Sequence, residues 1–189
     1  MAWLTQNQIE NMKFGAVGTN VLLSDKASYY NCANIRMGSN VRIDDFCVLS
    51  AGEGGIHLGD YVHIAVYASL IGKGRIELES FSGLSSRVSV YSSNEDYSGA
   101  KLTNPTVPAA FSGVTHADVR LCKHVIVGAG SIILPGVTLG EGAAVGALSV
   151  VRRDCEPFAI YMGAPAKRIM KRKSDLLELE KQLRAGQPG

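Results

Sequence analysis

The sequence predicts an all-β chain wound into a parallel β-helix, a triangular solenoid of about six coils with a short helix at each end. Three observations carry this. An aliphatic residue falls every six positions at Leu121, Val127, Ile133, Leu139, Val145 and Val151. Four positions after each stands something small or slim: Val125, Ser131, Val137, Ala143, Ser149 and Cys155. Gly directly follows the aliphatic residue at positions 128, 140 and 146. A fixed short period marks a repeat architecture. Residues 125–151 are apolar enough to suggest a membrane span, but Pro135 and Glu141 interrupt them and their period is six. A spanning helix needs about 20 predominantly apolar residues with no such break.

The elements follow in chain order. Thr5 with Gln8 three residues later forms a capping-box pattern, and Leu4 can staple onto Ile9. A short helix is expected over 5–12, within an N-terminal cap of residues 1–16. The comb then begins with Val17, Leu23 and Tyr29. It continues through Met37, Ile43 and Leu49; Leu58, Ile64 and Leu70; and Leu78, Leu84 and Val90. The companion row reads Val21, Ala27, Ala33, Val41, Cys47, Val62, Ala68, Ser82 and Val88, broken at Glu53 and Gly74. Those two breaks sit beside small insertions, which belong at corners. Coils of three short strands are expected at 17–36, 37–57, 58–77, 78–120, 121–138 and 139–156. Successive residues of a strand alternate faces, so one aliphatic residue per side can pave a narrow interior. Stacked coils pair in parallel, and the exposed edges at both ends need caps. The C-terminal segment, 157–189, supplies one: after Ser174 and Asp175, Leu176, Leu179 and Leu183 stripe one face of a helix that stops before Gly186.

One stretch disobeys the comb. Between Val90 and Leu121 a long arm, 92–118, leaves the fourth coil. Asn94, Asp96 and Asn104-Pro105 supply turn chemistry, and Tyr97, Leu102 and Phe111 supply apolar anchors. Loops of this length are functional or disordered, and the anchors favour an ordered arm over a neighbouring subunit.

Composition narrows the function classes. A net charge of +2 gives no case for nucleic acid. No basic stretch followed by an apolar run opens the chain, so no signal peptide and no integral membrane segment are expected. The four cysteines lack Cys-x-x-Cys spacing, and Cys47 and Cys155 occupy the small inward slot. A reduced, cytoplasmic setting fits.

The tandem hexads, the run "HVIVGAGSIILPGVTLGEGAAVGALSVVRRD" and the segment "GAPAKR" resemble the left-handed β-helix, hexapeptide-repeat acyltransferases, in the branch of sugar and xenobiotic acetyltransferases. The likeness covers about 17–169. It implies a left-handed coil, which the period does not dictate and which runs against the usual right-handed crossover. It also implies a homotrimer, acetyl-CoA as acyl donor in grooves between subunits, and a carbohydrate acceptor, such as a nucleotide-linked sugar for surface polysaccharide. Gly128, Ala129, Gly146 and Ala147 match the small residues along which the pantetheine arm lies; a tight turn would also explain the glycines. Arg152, Arg153, Lys167 and Arg168 match the cationic end that meets the nucleotide phosphates.

The family's general-base histidine is expected just before the arm, where this chain has Asn94-Glu95-Asp96. An amine acceptor, once neutral, needs only a modest proton acceptor, whereas a hydroxyl depends strongly on a base. The missing histidine therefore favours an amino sugar and leaves four candidate bases: Glu95, Asp96, His116 at the arm's return, and His63 on an outward position. Adjacent acids in a loop also commonly cap a turn. His57 in a corner insertion and His124 read as structural. No cysteine is placed for a covalent intermediate, so direct transfer in a ternary complex is expected. Two rivals stay open: a non-catalytic scaffold or sugar-binding solenoid, and a zinc carbonic-anhydrase-like enzyme. The second lacks the histidine pair five residues apart that it requires, so no metal site is expected.

Overall fold

The computed structural model describes residues 2–186. It is a three-sided parallel β-solenoid, left-handed, with a helix at each end. The first face stacks Ala16–Val17, Ile35–Met37, Ile56–Leu58, Ile76–Leu78, Val119–Leu121 and Thr138–Leu139. The second stacks Leu22–Leu23, Arg42–Ile43, His63–Ile64, Gly83–Leu84, Ile126–Val127, Ala144–Val145 and Ala159–Met162. The third stacks Ser28–Tyr30, Val48–Ala51, Ser69–Gly72, Ser89–Tyr91, Ile132–Ile133 and Val150–Val151. Six complete turns are followed by part of a seventh, made by a bridge from Leu139 to Cys155 and by strand Ala159–Met162. That partial turn is one more than the hexad count, because its sequence has lost the period.

The inward rows match the comb. Leu23, Ile43, Leu49, Ile64, Leu70, Leu78, Leu121, Val127 and Ile133 are fully buried. The expected corner insertions on the first face are strand instead. Ile35, Ile56, Ile76 and Val119 turn a second apolar side chain inward two residues before Met37, Leu58, Leu78 and Leu121. His57 therefore lies mid-strand, outward between Ile56 and Leu58, and not in a corner. Ala33 is exposed in a 3-10 turn, Cys32–Asn34, so Ile35 takes its inward place. Val17 is only partly covered, because no coil lies beneath it.

Aromatic residues hold several corners in the left-handed backbone region, where most residues are uncommon. Tyr61, Phe81 and His124 have φ of 58°, 62° and 61° at successive rungs between the first and second faces. Their rings stack, with centroids 4.7 Å apart for Tyr61–Phe81 and 5.2 Å for Phe81–His124. Pairwise ring stacking contributes about 0.5–1.5 kcal/mol beyond burial, which offsets part of the backbone cost.

Both end helices are present. Helix α1, Gln6–Asn11, carries the full capping box on Thr5 and Gln8, and buries Ile9 against the first coils. Helix α2, Leu176–Ala185, starts at Asp175 without a side-chain cap bond and lies across the second face. Its contact there is mainly polar: Glu180 meets Lys123, His124 and Arg184, while Leu179 and Leu183 stay largely exposed. Before it, Lys167–Lys171 folds back antiparallel on Ala159–Met162 and closes the edge of the second sheet.

The arm leaves the corner between the third and first faces. A two-stranded antiparallel root, Ser93–Asn94 with Thr115–His116, anchors it. Tyr97, Leu102 and Phe111 do not bury themselves in their own chain. No helix among the described residues is long and apolar enough to cross a membrane.

Candidate active site

The second face and the corner after it carry the chemistry-bearing residues. His63 points outward from strand His63–Ile64, with its Nε2 2.9 Å from Asp44 Oδ2. Asp44 is 4% exposed and its other oxygen accepts from Arg42 Nε at 2.7 Å. Burial would raise the Asp44 carboxyl, but the Arg42 and His63 hydrogen bonds outweigh it and hold it below the ordinary carboxylate range. A buried anion on one ring nitrogen orients the imidazole and leaves the other nitrogen for proton transfer. Sequence reading did not find Asp44. The usable signal was that it lies 19 residues before His63, about one coil back.

Next to His63 opens a cleft of about 260 Å³, lined by Ala65, Gly83, Ser85, Ser86 and Ile126 as well. It sits at the corner between the second and third faces. The same corner continues toward the C-terminus through Ala129 and Ala147, both exposed. Backbone bonds tie these rungs together, Gly130 N to Ser86 O and Leu148 N to Ala129 O. Gly128 and Gly146 play a different part from the alanines. A Cβ on Gly128 would fall 2.5 Å from Ala147 N, and one on Gly146 would fall 2.4 Å from Met162 Cγ. Their missing side chains let adjacent coils approach, and the open track is left to the alanines.

At the C-terminal end, Arg152, Arg153, Lys167 and Arg168 line a single cleft of about 240 Å³. The segment that brings the last two there passes over the third face, with Gly163 N on Ser149 Oγ at 3.0 Å and Ala166 N on Val150 O at 2.8 Å. Arg168 also pairs with Glu156 at 3.2 Å.

The arm candidates lie elsewhere in the same chain. His116 is exposed, and its Nδ1 is 2.8 Å from Ser93 Oγ. Asp96 accepts from the Ser98 hydroxyl and from the Ser98 and Lys101 amides, which hold its carboxyl below the usual range. It ties a turn. Glu95 is half-buried, with Oε2 buried and lacking a hydrogen-bond partner among the described residues. These three stand at the corner between the third and first faces, one side of the prism away from His63. His124 is buried against Glu180. Burial pushes the Cys47 thiol to about 11 and that of Cys155 to about 12, so neither is a ready nucleophile.

No family model matches the chain. It is 57% identical over 180 residues to dTDP-4-amino-4,6-dideoxy-D-glucose acyltransferase of Escherichia coli, covering 95% of this chain and 94% of that protein. Its structure is similar to AntD, an N-acyltransferase from Bacillus cereus solved with dTDP and 3-hydroxybutyryl-CoA. The TM-score there is 0.92 at 44% identity, covering 97% of this chain and 96% of that one. A maltose O-acetyltransferase from Clostridium difficile 630 shares the fold, with a TM-score of 0.59 at 22% identity, covering 89% of this chain and 75% of that one. A likeness to the first of these over nearly the whole length of both chains, together with the hexad solenoid, shows that the chain belongs to the left-handed β-helix, hexapeptide-repeat acyltransferases, enzymes that use an acyl-CoA donor.

Proposed function

We propose that the protein transfers an acetyl group from acetyl-CoA to the amino group of a nucleotide-linked sugar, dTDP-4-amino-4,6-dideoxyglucose being the acceptor that the relatives suggest. The observation that carries the reading is the set of features spread from the C-terminal end of the solenoid along the corner between its second and third faces. Four cations share the C-terminal cleft, exposed alanines follow it up the corner, and a carboxylate-held histidine stands at the far end. Arg152, Arg153, Lys167 and Arg168 hold the phosphates of coenzyme A, and the pantetheine arm lies along Ala147 and Ala129, with Gly146 and Gly128 setting how closely the coils approach.

His63 is the general base in this reading. The acceptor amine loses a proton to the imidazole as its nitrogen attacks the thioester carbonyl. The C–N bond forms, the C–S bond breaks, and the imidazolium gives its proton to the departing sulfur, so that coenzyme A leaves as a thiol. Asp44 stabilises the imidazolium while it holds the proton. Glu95, Asp96 and His116 act instead as the root of the arm. Within one chain the arm and His63 occupy different corners, so a pocket using both is built between copies, which supports a homotrimer. The raised thiols of the inward cysteines support direct transfer in a ternary complex. Four free cysteines fit a reduced cytoplasm, and the relatives' sugar points toward surface polysaccharide.

The test is release of free thiol from acetyl-CoA with the 4-amino sugar nucleotide and with its 4-hydroxy counterpart. Release with the amine alone supports N-acetylation. Release with neither, while coenzyme A still binds, favours a binding solenoid instead.

A further inference from the structure

Outward positions of the second face stack as Leu22, Arg42, His63 and Gly83 on successive rungs. Arg42 therefore adjoins the imidazole, one rung toward the N-terminus, where an imidazolium would meet a permanent cation. Asp44 stands between the two. One of its oxygens accepts from Arg42 Nε at 2.7 Å, and the other meets His63 Nε2 at 2.9 Å. Asp44 is almost fully covered, and a buried anion without a counter-charge is costly. While His63 is neutral, Arg42 is the charge that compensates it. The Arg42 side chain is 47% exposed, so solvent competes for it. Trp3 opposes that competition: the guanidinium carbon lies 5.4 Å from the centroid of its ring, within the range of a cation–π contact.

Trp3 is itself fixed. Residues 2–4 run antiparallel to the first coil, with a bridge from Trp3 to Ser24, Leu4 N on Leu23 O at 2.8 Å and Asp25 N on Ala2 O at 3.2 Å. Leu4 packs against the core, and the capping box of α1 follows directly. The tail is thus built into the solenoid, and its ring reaches past the first rung to the second. Two other charged groups line the space beside His63, and both are engaged elsewhere. Arg172 donates to the carbonyls of His124 and Gly142, and Glu180 accepts from Lys123, His124 and Arg184. With an ionised Asp44 on Nε2, the neutral imidazole donates from Nε2 and keeps Nδ1 to accept a proton.

We propose that Trp3 and Arg42 are positioning residues: through Asp44, the N-terminal tail holds His63 in the tautomer and orientation that proton transfer needs. This rests on His63 being the base and deepens that reading. The test measures kcat and KM for acetyl-CoA and the 4-amino sugar nucleotide in Arg42→Gln, Arg42→Lys, Trp3→Ala and Trp3→Phe. It also reads the His63 tautomer from the nitrogen chemical shifts of the imidazole. Arg42→Gln is expected to lower kcat about tenfold with each KM within about twofold, the scale of one half-exposed charge-assisted hydrogen bond. Trp3→Ala is expected to lower kcat about two- to fivefold, the scale of an exposed cation–π contact. Trp3→Phe keeps a ring face and should restore most of that loss. Arg42→Lys keeps the charge without the planar fork and should fall between the parent and Arg42→Gln. In Arg42→Gln and Trp3→Ala the Nε2–H form should give way to a mixture of tautomers. Should Trp3→Ala release the whole tail, Arg42→Gln, an outward and half-exposed position, carries the test. Parent kcat and parent tautomer in Arg42→Gln overturn the proposal. A loss that shows only as raised KM, with the tautomer unchanged, overturns it too, by making the tail a plain end cap. His63→Ala with the parent's kcat sinks the base reading itself, whatever the tautomer shows.

Discussion

Glu180→Gln tests whether one anion latches helix α2 to the solenoid. Glu180 accepts from Lys123 Nζ at 2.9 Å, His124 Nε2 at 2.7 Å and Arg184 Nε at 2.8 Å. The Glu180 and His124 side chains are 9% and 8% exposed, whereas those of Lys123 and Arg184 are 37% and 48%. Solvent screens the last two, and such pairs contribute about 0–1 kcal/mol each. The covered bond to His124 is the larger part, about 1.5–3 kcal/mol for a hydrogen bond to a charged group. Glutamine keeps a carbonyl acceptor, so about 2 kcal/mol is the expected loss. At about 1.4 kcal/mol per decade, that is a roughly 30-fold rise in local opening. Hydrogen exchange reads it directly: protection of the α2 amides falls about 30-fold at pH 7, while Ile64 and Leu70 on the inner strands keep theirs. The pH dependence has a definite sign. Burial alone would raise the Glu180 carboxyl, but the hydrogen bonds from Lys123, Arg184 and His124 hold it at about 2, against an ordinary 4.5. A depressed carboxyl stabilises fully above about 4.5 and loses that contribution as pH falls toward 2. This carboxylate's share of the protection should therefore hold from pH 7 to 5 and decline below 4.5. Equal α2 protection in parent and variant at pH 7 would refute the latch.

Other perturbations separate the parts of the site. Arg153→Ala and Lys167→Ala should each raise the acetyl-CoA KM about tenfold with little change in kcat, as expected for one lost charge-assisted phosphate contact; steady-state kinetics decides, and unchanged KM in both removes the cofactor assignment. His63→Ala should lower kcat at least about tenfold, the low end of general-base catalysis, and a wild-type kcat would return the role to the arm residues or the acceptor. Asp96→Asn weakens the turn that holds Ser98 and Lys101 and should speed proteolysis of the arm; an unchanged digestion rate counts against that structural role. Leu70→Ala removes a fully buried side chain from the third face and should cost about 2–5 kcal/mol in urea unfolding; a loss under 1 kcal/mol would mean that the neighbouring rungs collapse into the gap.

The six-residue comb determined the prism by itself, because an inward residue on every strand is a local demand that each hexad must meet alone. The same holds for the capping box on Thr5 and for the arm, which announces itself by breaking the count. Where the hexad is lost, pairing rather than period makes the strands, so the partial seventh turn and the return strand at Lys167–Lys171 were not legible. The site divides in the same way. Arg152, Arg153, Lys167 and Arg168 could be named from their motif, but only folding brings them to one cleft. His63 could be seen to face outward. That Asp44 holds it, that Gly83 lies beside it on the next rung, and that Asp96 spends its charge on a turn depend on contacts between rungs about 20 residues apart or on loop geometry. A periodic sequence states which way each side chain faces; stacking decides what it meets there, since neighbours across coils are set by register and not by adjacency along the chain.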